Sequence, residues 1–350
     1  MDIPSPRTPV FTFADAVRWG FSRHQISRLV ATGAWYRWHR GVYALAAVVD
    51  GMSARDQHLV RVVALLLSRG GSDVASHLSA AAALGWPLPL DGPGEPTVTS
   101  QTGTSPTRRR RHTVVQVAGL ERSDATTLRL RLGGHRLDLA CTRPARTLAD
   151  ILRHLPMADS VAIGDAALRT GSPTFDAVVA QLDRQQRWPY IERGRKALLL
   201  LDPRRESWLE SYSFVTLHLT GLPMPEPQVT VRDAQGRFVA RVDGWMHEGA
   251  VALEADGRGK YLLGLPTLSQ DLDAAADDVA AHVRDRLLHQ SVRQRQLEDL
   301  GITVVRWTTG DITSHAQAVA ARISRACREG QSRAFTGRLE LCPRSIADAS

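Results

Sequence analysis

Two sets of side chains in this sequence could do chemistry. The first is cationic. Between Ala16 and Val49 stand five arginines, two histidines and no carboxylate. A guanidinium presents a planar fork of N–H donors that meets a phosphate in two parallel bonds, so an acid-free arginine stretch suits a polyanion. Within it His24, Ser27 and Arg28 recur at i, i+3 and i+4, and Ile26, Leu29 and Val30 repeat that spacing two residues later. On a helix a two-residue offset turns about 200°, so the apolar triplet can be buried while Arg23, His24, Ser27 and Arg28 face outward. The second set is acidic. Period-2 alternation puts Ala252, Glu254 and Asp256 on one face of a strand, Asp243 lies near the end of the strand before it, and Glu206 sits on a helix further upstream.

The elements that must hold the cationic set are legible. Thr12 caps a short helix, Phe13–Trp19, closed by Gly20. Ser22 and Gln25 have capping-box spacing with Phe21 just outside, so a second helix runs from Arg23 to Thr32 and stops at Gly33. The aromatic, β-branched run Trp35 to Leu45, with Arg40-Gly41 at its turn, reads as a two-stranded wing. Two helices followed by a wing form a winged helix-turn-helix, whose second helix can enter a major groove while Arg37 and Arg40 meet phosphate or the minor groove. The competing reading is a small helical cap with solvated arginines.

Length and composition bound the rest. A chain of 350 residues, 43% apolar and 23% charged, is ordinary globular material but too long for one core, so several domains are expected. Forty-four basic against 36 acidic side chains give +8, and only Lys196 and Lys260 are lysine. Cys141, Cys327 and Cys342 are odd in number and far apart, which argues against a disulfide framework or a Cys-based zinc site. The longest apolar runs, Val62–Leu67 and Ala197–Leu201, are too short to span a bilayer, and no secretory signal is read at the N-terminus, so a cytoplasmic protein is expected.

The pattern predicts an α+β multidomain chain: a winged helix over 1–50, a mixed α/β middle domain over 51–196, a third domain over 197–330, and a loose tail over 331–350. The middle segment holds helices from about Ser53 and Ser76, strand-like stretches at Pro96–Thr99, His112–Val117, Thr127–Leu132 and His135–Ala140, and further helices from Pro144. The run Arg108–Arg111, beside a Pro/Gly/Ser/Thr-rich passage, reads as an exposed loop. His77, on an Ala-rich helix, reads as packing rather than as a ligand. The third segment orders as helix, three strands, a long helix over about Asp271–Leu300, the strand Ile302–Trp307 and a final helix over about Ser314–Glu329.

Two resemblances extend this reading. Phe21-Ser-Arg-His-Gln-Ile-Ser-Arg-Leu-Val, then Gly33-Ala-Trp-Tyr-Arg-Trp-His-Arg-Gly-Val-Tyr, closely resembles the N-terminal domain of AbiEi-like type IV antitoxins, and the middle segment resembles that family more weakly. The resemblance implies a DNA-binding winged helix that represses its own operon, through Arg23, His24, Ser27 and Arg28, with double-stranded DNA and a cognate toxin protein as partners. The third segment is similar to the PD-(D/E)xK restriction-endonuclease fold, αβββαβ, in its very-short-patch-repair-like branch. That likeness rests on Glu206, Gly221-Leu-Pro223, Val242-Asp243, Leu253-Glu254-Ala-Asp256-Gly257, Lys260-Tyr261 and Arg293…Leu297…Gly301…Val304-Val305-Arg306-Trp307. It implies Mg2+ ligated by Asp243, Glu254 and Asp256, with Glu206 assisting and Lys260 stabilising charge. The sequence departs from that pattern: Asp256 stands where the motif has lysine, and Gln294 where related chains carry an acid. Three functions stay open on the sequence: a DNA-binding regulator of antitoxin type with a nuclease-like C-terminal domain, an active Mg2+-dependent DNA endonuclease targeted by its winged helix, and an interaction protein that neutralises a partner through the middle segment.

Overall fold

The computed structural model describes residues 9–70, 73–100, 108–110, 113–117, 119–257 and 291–343. The chain is a mixed α+β protein that divides between Leu199 and Leu200 into two compact units. Among the described residues no helix is long and apolar enough to cross a membrane.

The first unit opens with β1 (Val10–Thr12), α1 (Phe13–Arg18), α2 (Arg23–Ala31), β2 (Trp35–His39) and β3 (Val42–Leu45), followed by α3 (Ala46–Val49) and α4 (Ala54–Arg69). The strands form an antiparallel sheet in the order β1-β3-β2. Alternation gives this small sheet two buried faces. Phe11, Trp35 and Tyr43 point to one face and pack with Ala16 and Ile26 from α1 and α2. Val10, Val42, Ala44, Tyr36 and Trp38 point to the other and pack with Leu59 and Val62 of α4. The wing is therefore covered on both sides, one cover being the helix that leads into the rest of the unit.

A six-stranded sheet follows, built from β4 (Val74–Ala75), β5 (Thr97–Ser100), β6 (Arg108–Arg110), β7 (Thr113–Val117), β8 (Ala125–Leu132) and β9 (His135–Thr142) in the order β6-β7-β5-β4-β9-β8. The helices α5 (His77–Ala83), α6 (Pro144–His154), α7 (Met157–Arg169), α8 (Phe175–Arg184) and α9 (Ile191–Leu199) complete the unit. Here the arginine run departs from its expected loop: Arg108–Arg110 forms a strand antiparallel to β7. An edge strand needs backbone partners on one side only, and charged residues are common there, so composition misled. Arg111 lies outside the described residues.

Helix α6 is almost wholly buried, and it carries an ionic network. Asp150 accepts from Arg146 Nε and from Arg153 Nη2, both at 2.7 Å. The two guanidiniums lie 4.7 and 5.1 Å from the Trp188 ring, and Arg146 Nη1 also reaches the Gly119 carbonyl at 2.9 Å. Burial pushes the Asp150 pKa up, but the positive charges around it outweigh that and hold it below its ordinary value. The network ties α6 to the turn before α9, a role that short-range sequence spacing does not reveal.

The second unit comprises α10 (Trp208–Leu219), β10 (Glu226–Arg232), β11 (Phe238–Met246), β12 (Val251–Asp256), a helical stretch at 291–299 (α11), β13 (Thr303–Thr308), α12 (Thr309–Gly330) and β14 (Arg338–Glu340). Its sheet order is β13-β12-β11-β10-β14, with β12 and β13 parallel and the other pairs antiparallel. Leu253, Phe214, Trp307 and Ile323 belong to one buried cluster of this unit, whereas Val242, Trp245, Ala252 and Leu297 belong to a second. The expected loose tail is corrected here. β14 pairs with β10, Arg232 Nε donates to Glu340 Oε2 at 2.9 Å, and Arg204 Nη1 donates to the Cys342 carbonyl at 3.0 Å. Three residues carry too little periodicity to announce a strand whose partner lies about a hundred positions upstream.

Two buried histidines make the first unit acid-sensitive. His58 Nε2 lies 2.9 Å from the Ser79 hydroxyl, while His77 Nδ1 lies 3.0 Å from that of Ser76. His77 holds a left-handed φ of 52°, and its Nε2 is buried without a partner among the described residues. Burial pushes both pKa values down to about 4. As pH falls below their ordinary value of 6.5, the unfolded chain takes up protons that the fold refuses, so stability present at neutral pH is lost progressively toward pH 4. Between pH 7 and 5 the loss should be about 2 kcal/mol per histidine. Urea titrations at the two pH values check this: His77→Gln should narrow the gap, and an unchanged gap would contradict it.

Candidate nucleic-acid interface

Helix α2 is set by its N-terminus. Ser22 N donates to Gln25 Oε1 at 2.8 Å and Gln25 N to Ser22 Oγ at 3.2 Å, so the capping box closes as the spacing implied. Thr12 and Asp15 form a second box at α1. With both helix starts fixed, α2 has one apolar stripe to bury. Ile26 is 2% exposed beside Trp35, while Leu29 and Val30 pack at the edge. Trp35 meets Phe11 edge-on at 4.7 Å and Phe21 at 5.0 Å, which wedges the helix pair onto the sheet.

The opposite side of α2 faces solvent. Arg23, His24, Ser27 and Arg28 are all exposed, and the Arg23 guanidinium rests 5.7 Å from the Phe13 ring. Arg37 is also exposed. It stands abreast of Tyr43 in the ladder, on the sheet face that α1 and α2 cover. Arg40 is exposed at the hairpin turn, where Gly41 takes a φ of 74° that a side chain rarely adopts. His39 is half-buried, and burial lowers its pKa. The six cationic or hydroxyl-bearing residues thus surround one helix and its hairpin. None of them makes an ion pair with a carboxylate among the described residues.

The carboxylates of the second unit stand differently. Glu254 is 7% exposed, and each of its oxygens is already bonded: Oε2 accepts from Arg306 Nε at 2.6 Å, and Oε1 accepts from Arg293 Nη2. Asp243 Oδ2 accepts from the Ala255 backbone N–H at 2.8 Å. Glu206 pairs with Arg241 at 2.5 Å, and Asp256 is half-buried at the end of β12. Lys260 lies outside the described residues. Among the described residues no group of three His, Cys, Asp or Glu side chains could hold a metal ion. The donor set read from the sequence therefore does not fit Mg2+. A dication needs bare carboxylate oxygens, and here two guanidiniums occupy those of Glu254 and would repel a metal.

Spacing did not single out Arg293 and Arg306 as partners of Glu254. The signal exists only across strands: Arg306 is directly abreast of Glu254 in the parallel β12–β13 ladder.

Comparison with known proteins bears on the first unit. Residues 7–46, the helix pair and hairpin described above, match the model of a family of transcriptional regulators, the AbiEi antitoxins. Over a longer span the chain is similar to two proteins of Mycobacterium tuberculosis. It is 29% identical over 309 residues to the uncharacterized protein MT2308 of strain CDC 1551 / Oshkosh, covering 87% of this chain and 96% of that one. The uncharacterized protein Rv2248 of strain ATCC 25618 / H37Rv matches with the same figures.

The Glu254 arrangement is open to a double-mutant cycle. Arg306→Ala should cost about 2 kcal/mol, because it strips a charged hydrogen bond from a buried carboxylate. Adding Glu254→Gln should recover part of that loss, since the uncompensated charge goes with it. Denaturant unfolding reads both effects, and strictly additive costs would show that the two side chains are not coupled.

Proposed function

We propose that the chain is a DNA-binding transcriptional regulator of type IV antitoxin type that docks on duplex DNA through its N-terminal winged helix. Helix α2 enters the major groove, where Arg23, His24, Ser27 and Arg28 meet base edges and flanking phosphates, and Arg37 and Arg40 of the hairpin hold the backbone beside it. The observation that carries this reading is the separation of the two sides of α2: Ile26 is sealed against Trp35 while the basic residues are all exposed. The similarity of residues 7–46 to AbiEi regulators supports the same conclusion.

In this proposal the protein acts in the cytoplasm, a cognate toxin protein is its second partner, and the operator lies upstream of its own coding sequence. The C-terminal unit, a restriction-endonuclease-like αβββαβ core in this proposal, does no metal chemistry; the two guanidiniums on Glu254 support the absence of a metal there.

Gel-shift titration with the upstream DNA tests the proposal. Binding should be saturable and should weaken steeply as salt rises, because phosphate contacts release counterions. Arg23→Ala with Arg28→Ala should weaken it about 100-fold, given roughly 1–3 kcal/mol for each good base contact. No saturable binding at low salt, or equal affinity in the double variant, would remove the claim.

A further inference from the structure

The face of the second unit that the sequence offers to a cation is lined with cations of its own. Two guanidiniums converge on Glu254 from two elements, Arg293 on α11 and Arg306 on β13. Arg306 Nε is bonded to Glu254, and its Nη1 donates to Gln294 Oε1 at 2.6 Å. Arg293 Nη2 spans Glu254 and the Arg241 carbonyl, the latter at 3.1 Å. Arg241 turns to Glu206. Glu254 thus answers two guanidiniums with one charge, and neither Arg293 nor Arg306 bonds a second carboxylate among the described residues. Two N–H-bearing atoms of the pair, Arg293 Nε and Arg306 Nη2, are also buried with no acceptor among the described residues.

Buried donors without partners describe a deficit, a missing acceptor. A phosphodiester has the matching chemistry. It carries one negative charge and two free oxygens at the spacing of a guanidinium fork, so it can take both arginines at once. Glu254 then has a different role from a metal ligand. Its carboxylate occupies the fork in the unliganded protein and holds both side chains in place. We infer that Arg293 and Arg306 form a phosphodiester-binding site for duplex DNA and that Glu254 is the internal anion which the DNA backbone displaces. The choice of DNA as the source of the phosphate rests on the winged-helix reading above. The geometry of the pair does not.

Two substitutions in the full-length chain should act in opposite directions. Fluorescence anisotropy with a labelled duplex of the upstream sequence, in EDTA, reads both. Glu254→Gln removes the competitor and should tighten binding several-fold. Arg293→Gln removes half of the fork, leaves the abreast Glu254–Arg306 pair intact, and should weaken binding about 3- to 10-fold, with a salt slope shallower by about one. Glu192→Gln makes the same charge change beside Arg195 in the first unit and should leave affinity unchanged. Melting curves establish that each variant is folded. Should Arg293→Gln fail to fold, Arg306→Lys, which keeps the charge and loses the fork, should weaken binding in its place.

Unchanged affinity in both Glu254→Gln and the fork variant, with Arg23→Ala plus Arg28→Ala still defective, would overturn this inference and leave the winged-helix proposal standing. No binding by the parent chain would overturn both. A loss of affinity in Glu254→Gln seen only with Mg2+ present would mark a metal site instead. If millimolar inorganic phosphate raised the melting temperature of Glu254→Gln while DNA affinity stayed constant, the site would take a free anion, and the assignment to DNA would fall.

Discussion

Trp35 is the wedge on which the first unit depends. Its ring meets Phe11 and Phe21 edge-on and lies over Ile26, so the small β1-β3-β2 sheet and the helix pair share one aromatic core. Helix α2 has a single apolar stripe, and burying that stripe leaves no choice about which residues turn outward. The exposure of Arg23, His24, Ser27 and Arg28 is therefore a consequence of packing and needs no separate device. The reverse side of the same sheet is filled by α4 through Val10, Val42 and Ala44. A hairpin held on both faces is more rigid than a free wing, which suits side chains that must meet phosphates at fixed positions.

In the second unit, sheet topology decides what a carboxylate can do. Parallel pairing brings Arg306 abreast of Glu254, and α11 brings Arg293 over the same face. A glutamate in that position has its charge spent on the protein itself.

What was legible in the sequence follows the range of the interaction. The cap at Thr12, the capping box at Ser22, the Gly41 turn and the apolar stripe of α2 are set by residues within a few positions of each other, and they fold as the spacing implies. The edge strand β6 hid behind a run of arginines, because backbone pairing is indifferent to charge at a sheet edge. The strand β14 is too short to show a period, and its partner β10 is remote. The Arg146–Asp150–Arg153 network and the Glu254 pairings join residues from separate elements, or side chains whose burial depends on the whole unit. For these the one-dimensional pattern holds the participants but not their meeting.

The most direct measurement is amide hydrogen exchange of the full-length chain with and without its upstream duplex. The account predicts slowed exchange over residues 22–31 and around the hairpin turn at 37–41. Protection confined to other segments, with these amides exchanging at their free rates, would contradict it.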